Sequence, residues 1–482
     1  MLPNIVTNAD LHTLSPELFI CASAFALLMI DLFLSPQRRA LTHFLALLIL
    51  LAVAVLTLRD MATVQTFAFS KFFVRDVASD VLKLAMYAIT ALVFVYAKPF
   101  LQDRDLFKGE FYALILFALL GMMLMVSSGA LLTLYLGLEL LALCSYGLVA
   151  MDRDNAIASE AAMKYFILGS MASGLLLYGM SMIYGATGSL QLDAIYAASA
   201  SHGSSTLLTL GVVFMLVGIA FKFGAVPFHM WLPDVYQGAP TAVTLFIGSA
   251  PKLAYFGMAY RLLESGVGPM DVEWRVMLAW LAAASLLVGN IFALAQTNFK
   301  RLLAYSTISH VGFLFMGLAN ASPLGYAAAM FYALSYGVMG AAAFAAIILL
   351  SRRGFDAENI SDFRGLWKSN PLHALLILFI MASLAGVPPF LGFWAKLVVI
   401  GAAIDAGMTW LAVLSVVCAV LGAFYYLRVI RAMFFEEAEG TGPIIHPDSH
   451  LRAAFAVNAL ALLVLGIFAE PLMHWCQAAF PV

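Results

Sequence analysis

The stretch 215–240, MLVGIAFKFGAVPFHMWLPDVYQGAP, begins as an apolar run, carries Lys222 within that run and then meets Pro227. Proline removes a backbone donor and clashes with the carbonyl one turn back, so a helix must kink or unwind there. In hydrocarbon, such a break is tolerated only where the freed backbone is buried in protein or lines a wet cavity. A lysine at membrane depth costs about 2.5–3.5 kcal/mol. The stretch therefore predicts a membrane helix broken around a charged site, which favours ion or proton conduction.

Composition places the chain among membrane proteins. Of its 482 residues, 63% are hydrophobic and 11% are charged, whereas soluble globular chains carry about 25% charged residues. The net charge of −2 and the lack of a basic run argue against a nucleic-acid partner. The N-terminal segment lacks a basic region, so no cleaved signal peptide is expected. The four cysteines are far apart in the sequence: Cys21, Cys144, Cys418 and Cys476. They form no CxxC pair and no Cys/His cluster, and this argues against a disulfide framework, an iron–sulfur centre or a zinc site.

Apolar runs of about 20 residues, the length that crosses a bilayer, recur along the whole chain. They predict an all-α polytopic membrane protein with about fourteen transmembrane helices, two of them broken, near 14–34, 41–58, 80–97, 111–128, 130–150, 161–186, 206–235, 240–263, 274–296, 302–320, 324–350, 371–404, 408–434 and 452–474. Fifteen basic residues fall in the loops of one side and five in the loops of the other. Because Lys and Arg collect in cytoplasmic loops, both termini are predicted to face the opposite side.

A second broken run, MASLAGVPPFLGFWAKLVVI at 381–400, resembles the first, since its GVPPF with Lys396 nearby is similar to AVPF with Lys222 nearby, and Pro388 follows Pro227 at an offset of 161 residues. The offset predicts two five-helix repeats, and an odd number of helices per repeat gives them inverted orientations. Inverted repeats with broken helices at corresponding positions mark transport sites at the midplane; the alternative is two coincidental kinks. The predicted division is 1–110 for the first three helices, 111–265 and 266–434 for the repeats, and 435–482 for a loop and the last helix.

Charged residues inside the spans are the candidate site. Glu139 and Lys252 lie near the middle of their runs, too deep for their side chains to reach an interface about 15 Å away. Lys222 and Lys396 flank the two breaks, where unwound carbonyls would be an alternative, purely structural partner. Lys164 follows Glu160 by one turn, and an ordinary i,i+4 ion pair explains it equally well.

Two histidines join this set with weaker support. His310 lies mid-span among Ser306, Thr307 and Ser309, which suits a proton relay, although a hydrogen-bonded core histidine fits almost as well. His229 directly follows the first break, as a relay member or as a cap of the unwound turn. No nucleotide loop, haem motif or Ser/His/Asp arrangement is visible, so redox or nucleotide chemistry on this chain has no support.

Three runs resemble the antiporter-like proton-translocating subunits of bacterial NADH-quinone oxidoreductase, respiratory complex I: FKFGAVPFHMWLPDVYQGAPTAV (221–243), NFKRLLAYSTISHVGF (298–313) and SLAGVPPFLGFWAK (383–396). The resemblance covers about helices four to thirteen. In that family, a charged axis crosses the membrane domain, and its positions fall here on Glu139, Lys164, Lys222, Lys252, His310 and Lys396.

The resemblance implies a non-redox subunit that carries no cofactor, in a bacterial inner-membrane complex whose FMN, iron–sulfur clusters and quinone are bound by other subunits. Its partners would be neighbouring membrane-arm subunits and the lipid bilayer. The expected mechanism is electrostatic: Glu139 holds Lys222 protonated until a neighbouring subunit weakens that influence, and the proton moves on towards Lys252, His310 and Lys396. Two alternatives remain, a subunit of a multisubunit sodium/proton antiporter and a membrane scaffold without transport.

Overall fold

A computed structural model describes residues 7–35, 38–202, 205–438 and 442–481. These ranges are built almost wholly of α-helices. The first part comprises α1 (Asn8–Thr13), α2 (Ser15–Leu32), α3 (Ala40–Arg59), α4 (Val77–Asp103), α5 (Gly109–Val126), α6 (Leu131–Val149), α7 (Ala156–Thr187) and α8 (Leu192–His202). A short antiparallel hairpin of β1 (Thr66–Ala68) and β2 (Phe73–Arg75) connects α3 to α4, with Phe67 opposite Val74.

The second part contains the two broken helices. Its elements are α9 (Thr206–Phe223), α10 (Trp231–Gly238), α11 (Thr241–Ile247), α12 (Ala250–Tyr260), α13 (Asp271–Leu294), α14 (Phe299–Leu318), α15 (Pro323–Leu350), α16 (Leu366–Ser369), α17 (Pro371–Ala385), α18 (Leu391–Asp405), α19 (Thr409–Phe435), α20 (Ser449–Ile467) and α21 (Glu470–Ala478). A π-helical turn, Arg261–Gly266, extends α12, and 3₁₀ turns occupy Gly268–Met270 and Ile360–Phe363.

The predicted spans from 14–34 to 452–474 all fall on helices or helix pairs. In the described ranges, twelve helical segments are long and apolar enough to cross a membrane, and α17 is a shorter apolar helix. The run 302–320 lies on α14, which is not among the twelve, and the run 371–404 is divided between α17 and α18. The count of fourteen crossings and the repeat boundaries therefore stay predictions.

Both predicted breaks are present, but glycine rather than proline ends each helix. α9 ends at Phe223, where Gly224 adopts φ 78°, and α17 ends at Ala385, where Gly386 adopts φ 88°. In each case the N–H of the residue after the glycine bonds to the carbonyl five residues back, and the glycine N–H bonds to the carbonyl three residues back, which is the Schellman motif that closes helix C-termini. Pro227 and Pro389 follow in the connectors, each after a cis peptide bond. The two glycines are 162 residues apart, one more than the predicted offset of 161.

The buried centre of the bundle lies around α11, α12, α14 and α15. The most apolar window of α15 is 94% buried and that of Thr241–Gly266 is 100% buried, whereas those of α2, α3, α19 and α20 are only 28–39% buried. A helix that is apolar on all sides and buried on all sides belongs to the interior of a bundle. The broken helices pack against this centre. The end of α9 at Phe223 is buried, whereas the connector after α17 reaches the surface, where Val387 is 46% exposed.

Candidate functional site

The open end of the first broken helix is bound by Lys252. This residue lies in the first turn of α12 and is 2% exposed. Its Nζ donates a hydrogen bond of 2.8 Å to the carbonyl oxygen of Phe223, the last residue of α9. The rings of Trp231 and Tyr255 stand about 6 Å from the same ammonium group. A cation at a helix C-terminus stabilises its unpaired carbonyls and its dipole.

Lys396 does the same at the second break. Its Nζ donates to the carbonyl oxygens of Leu384 at 3.0 Å and Ala385 at 2.7 Å, and Ala385 is the last residue of α17. Phe223 and Ala385 each directly precede the glycine that ends their helix, so Lys252 and Lys396 occupy equivalent roles. The sequence had matched Lys222 with Lys396, and this pairing is wrong, because Lys222 precedes its break while Lys396 follows its own.

Lys222 lies in the last turn of α9 and is 4% exposed. Its Nζ donates to the hydroxyl of Ser173 on α7 at 3.0 Å. Within the described chain, no carboxylate lies within 4.0 Å of Lys222, Lys252 or Lys396. The deep lysines are thus solvated by neutral oxygens.

Glu139, in the middle of α6, forms no direct ion pair with Lys222. The two groups still interact electrostatically. The Oε1 atom of Glu139 is buried and has no hydrogen-bond partner among the described residues. Its helix turns an exposed apolar face outward, formed by Leu132, Leu136 and Leu143. Glu139 is half-buried and follows Leu136 by three residues, so it lies beside this exposed face of α6.

His310 lies on α14 at the centre of a buried hydroxyl network. Its Nδ1 is 2.6 Å from the hydroxyl oxygen of Tyr332 and its Nε2 is 3.2 Å from that of Tyr426. The Tyr426 hydroxyl also contacts Ser306, and Thr307 shares a 2.7 Å hydrogen bond with Tyr336. The predicted polar surroundings of His310 are present.

Asn290 extends this network. Its Nδ2 donates to Ser309 at 2.8 Å, and its Oδ1 accepts from the hydroxyl of Tyr425 at 3.2 Å. Sequence reasoning missed these tyrosines and Asn290. The available signals were Tyr332 and Tyr336 one turn apart in an apolar helix, and the Tyr425–Tyr426 pair.

Lys164 belongs to a different environment. Its side chain is 43% exposed and pairs with Glu160 at 2.8 Å and with Asp234 at 2.9 Å. Asp234 also pairs with Arg301 at 2.8 Å. The predicted i,i+4 pair is therefore formed, and the cluster joins α7, α10 and α14 near the surface instead of contacting the deep lysines.

Two further ionisable features lie outside these groups, a histidine in the first connector and a buried ion pair. His229 lies half-buried in the connector after α9, and its Nδ1 has no hydrogen-bond partner among the described residues. Glu17 and Lys83 form an ion pair of 2.6 Å in which both side chains are at most 2% exposed. The sequence placed Lys83 within a span without identifying this partner.

The family model described as "NADH:quinone oxidoreductase/Mrp antiporter, TM" matches residues 128–422, a range that contains both breaks, the three deep lysines and His310. The chain belongs to this family. The resemblance of the three motif runs is thereby confirmed, and so is a multi-pass membrane protein.

Full-length relatives extend the match beyond the family model. NADH-quinone oxidoreductase subunit N of Xanthomonas euvesicatoria pv. vesicatoria (strain 85-10) is 57% identical over 98% of this chain and 97% of its own length. A chain of respiratory complex I from Thermus thermophilus with bound aureothin is 33% identical, with a TM-score of 0.82 over 96% of this chain and 100% of that chain. A chain of the Mrp complex from Dietzia sp. DQ12-45-1b has a TM-score of 0.83 over 97% of both chains at 24% identity, which shows a shared fold.

Proposed function

We propose that the chain is a proton-translocating membrane-arm subunit of a bacterial NADH-quinone oxidoreductase, equivalent to subunit N and located in the inner membrane with both termini on the periplasmic side. The assignment to this enzyme rests on 57% identity over nearly the whole length to a subunit N. The proton-transfer role rests on one structural observation: buried lysines bind the open carbonyl ends of both broken helices.

A lysine held only by neutral oxygens suits proton exchange. Its ammonium form is stabilised by carbonyl or hydroxyl dipoles, and no carboxylate within 4.0 Å in the described chain fixes the proton. When the proton leaves, the neutral amine keeps two N–H donors and can still donate to a carbonyl oxygen. Burial of a lysine away from counter-charges is how proteins bring its proton into exchange near neutral pH.

Glu139 is proposed as the control element for Lys222. Lys222 rests on Ser173, and the buried Oε1 of Glu139 lacks a partner. When the Glu139 carboxylate is close to Lys222, its negative charge holds the proton on the lysine. When Glu139 moves away, Lys222 releases the proton. Glu139 lies beside the exposed face of α6, so a neighbouring subunit that covers this face is positioned to drive the exchange.

The hydroxyl network around His310 is proposed to carry the proton between Lys252 and Lys396. Each hydroxyl passes on its own proton as it accepts another, so the network transfers a proton without keeping a charge. His310 and Lys396 interact electrostatically, so a proton on one disfavours a proton on the other. Lys164 is proposed to have a supporting role, since its ion pairs hold α10 against α7.

The chain is proposed to carry no redox centre, with FMN, iron–sulfur clusters and quinone bound by other subunits of the complex. Purified alone, it is expected to show no visible absorbance from flavin or iron–sulfur groups. Stoichiometric flavin or iron that survives purification would contradict this part of the proposal. The alternative function is that of a sodium/proton antiporter subunit. The similarity to the Mrp complex chain supports a shared fold and does not by itself support that function.

The decisive experiment is Lys222→Arg in the assembled enzyme. Arginine keeps the positive charge but does not lose its proton in proteins. NADH-driven proton translocation in inside-out vesicles, normalised to assembled complex, is expected to fall while the complex still assembles. Full proton translocation by the Lys222→Arg variant would rule out proton exchange at this lysine. NADH-driven sodium uptake that requires Lys222 would favour the antiporter alternative.

A further inference from the structure

The outer surface between α13 and α19 has a pocket at each end, and this surface is named the α13–α19 groove. The two helices lie side by side and point in the same direction. Near their beginnings, the rings of Trp280 and Trp410 are 5.3 Å apart. Near their ends, Nη1 of Arg428 on α19 donates to the carbonyl oxygen of Leu294 on α13 at 2.9 Å. The 24 residues of α13 extend over about 36 Å, enough to cross the hydrocarbon core.

Each helix contributes an exposed apolar stripe that follows the groove. On α13 the stripe is Val276, Trp280, Leu287, Ile291 and Leu294, which are 38–64% exposed. On α19 it is Val413, Val417, Val420, Phe424 and Leu427, which are 52–60% exposed. The spacings of three, four or seven residues keep each stripe on one helix face, so both helices present an apolar surface to the outside.

The stripes lead to a basic pocket at the C-terminal ends of the two helices. The pocket has a volume of about 350 Å³, and among the residues that the structure describes its lining includes Arg364, Arg428 and Arg431 and one carboxylate, Glu436. Although its partial burial opposes ionisation, hydrogen bonds from Arg431 and Arg364 hold the pKa of Glu436 below its usual value. Glu436 is therefore negative at neutral pH and is shared by two arginines.

Arg428 has no such partner. Its guanidinium donates to the carbonyl oxygens of Leu294 and Gln296, and no carboxylate lies within 4.0 Å of it in the described chain. Its buried Nε atom has no hydrogen-bond acceptor there. Buried polar atoms normally have a partner, so this donor indicates that an acceptor is missing from the pocket.

The opposite end of the groove has a different character. A pocket of about 380 Å³ there is lined by Val272, Arg275, Trp280, Met408 and Trp410, among others. Paired tryptophans at the rim of an apolar surface are typical of the membrane–water interface. The groove thus has the two interfaces of a bilayer at its ends, and only the Arg428 end is rich in arginine.

We propose that the α13–α19 groove binds an anionic phospholipid, with its phosphate in the Arg428–Arg431 pocket and its acyl chains along the two apolar stripes. Basic pockets between transmembrane helices bind the headgroups of anionic lipids, and guanidinium groups match phosphate oxygens in geometry. The site is separate from the deep lysines, and its occupancy does not depend on the proton-transfer proposal.

The test uses the intact complex, stripped of loosely bound lipid and reconstituted into vesicles of phosphatidylcholine with labelled phosphatidylglycerol. Tightly retained phosphatidylglycerol is counted per complex by mass spectrometry. Arg428→Gln and Arg431→Gln are each expected to weaken retention about fivefold, the effect of one basic contact at a membrane surface. Glu436→Gln is expected to strengthen it, because the competing carboxylate is removed. Arg353→Gln is the matched control, since Arg353 is exposed and pairs with Asp105 outside the groove.

Three outcomes overturn the proposal. Retention in Arg431→Gln and Glu436→Gln equal to that in Arg353→Gln shows that the pocket binds no anionic lipid. Equal retention of phosphatidylcholine shows an apolar groove without headgroup selection. Full displacement by excess inorganic phosphate shows a free-anion site in which the acyl chains contribute nothing. Arg428 also supports α13, so Arg431→Gln and Glu436→Gln keep the test valid if Arg428→Gln fails to fold.

Discussion

Lys252 Nζ and the carbonyl oxygen of Phe223 are 2.8 Å apart, and this bond closes the end of a broken helix in the buried centre of the protein. Lys396 forms the same bond with Ala385 at 2.7 Å. Both lysines therefore cap open carbonyls, which is a structural task, and both carry an ionisable group on the proposed proton path. The two tasks are separable by substitution.

Lys252→Met and Lys396→Met are expected to lower both stability and proton translocation. Methionine replaces the stem but leaves the capped carbonyl unsatisfied, which costs about 1–3 kcal/mol. Lys252→Arg is expected to keep much of the stability and still fail to translocate protons, because arginine retains its proton. Thermal unfolding of the purified complex and NADH-driven proton uptake by inside-out vesicles measure the two effects. Wild-type translocation by Lys252→Arg would contradict a carrier role.

Gly386→Ala is expected to disturb the hydrogen bond between Lys396 and the end of α17 by changing the helix end instead of the lysine. Gly386 has φ 88°, and a Cβ there would lie 2.8 Å from Cδ and 3.1 Å from Nζ of Lys396. The left-handed conformation alone costs an L-residue about 1–2 kcal/mol, and the lysine must also move. Gly401→Ala is the control, because Gly401 lies within α18 with open space around it. Lower translocation in Gly386→Ala but not in Gly401→Ala is the expected result, and equal activities would contradict it.

Tyr426→Phe tests the hydroxyl network. The substitution removes the oxygen that lies between His310 and Ser306 and leaves the ring in place. Fewer protons are expected to be translocated per NADH oxidised, while NADH oxidation by an artificial acceptor stays unchanged. Tyr96→Phe is the control, since Tyr96 is equally buried and its hydroxyl donates to the Ala454 carbonyl outside the network. Equal losses in both variants would indicate a packing effect only.

Substitutions of Glu17 and Lys83 are expected to have non-additive effects on stability, because the two side chains form a buried ion pair. Removing one partner of a buried ion pair leaves an uncompensated charge and costs about 3–5 kcal/mol, whereas removing both is often nearly neutral. Lys83→Met and Glu17→Gln are each expected to reduce the thermal stability of the assembled complex. The double variant is expected to recover most of that loss. Additive losses would show that the two side chains do not act as a pair.

The topology prediction is open to chemical labelling. The bias of basic residues predicts that the 351–370 loop is cytoplasmic and that both termini are periplasmic. A single cysteine at Arg353, which is highly exposed, is expected to react with an impermeant maleimide in inside-out vesicles and not in intact spheroplasts. A cysteine at His12, 70% exposed near the N-terminus, is expected to show the opposite pattern. The same labelling pattern at both positions would show an error of an odd number of crossings between them.

The sequence by itself determined the class of the protein, the approximate placement of the helices, both breaks and the presence of charged residues within the apolar segments. Each depends on local composition: long apolar runs must become helices in hydrocarbon because every backbone group needs a partner within its own segment. A proline or lysine within such a run is conspicuous for the same reason. The motif runs around Lys222, His310 and Lys396 also indicated the family.

Only the tertiary structure decided which groups meet. The partners of Lys222, Lys252 and Lys396 are neutral oxygens on other segments, and no spacing along the chain encodes a contact between separate helices. The tyrosines around His310 were missed because a tyrosine in an apolar helix is equally compatible with packing. Helix rotation and packing set the direction of each side chain, and these depend on the whole bundle. For this reason Lys252, and not Lys222, proved to be the counterpart of Lys396.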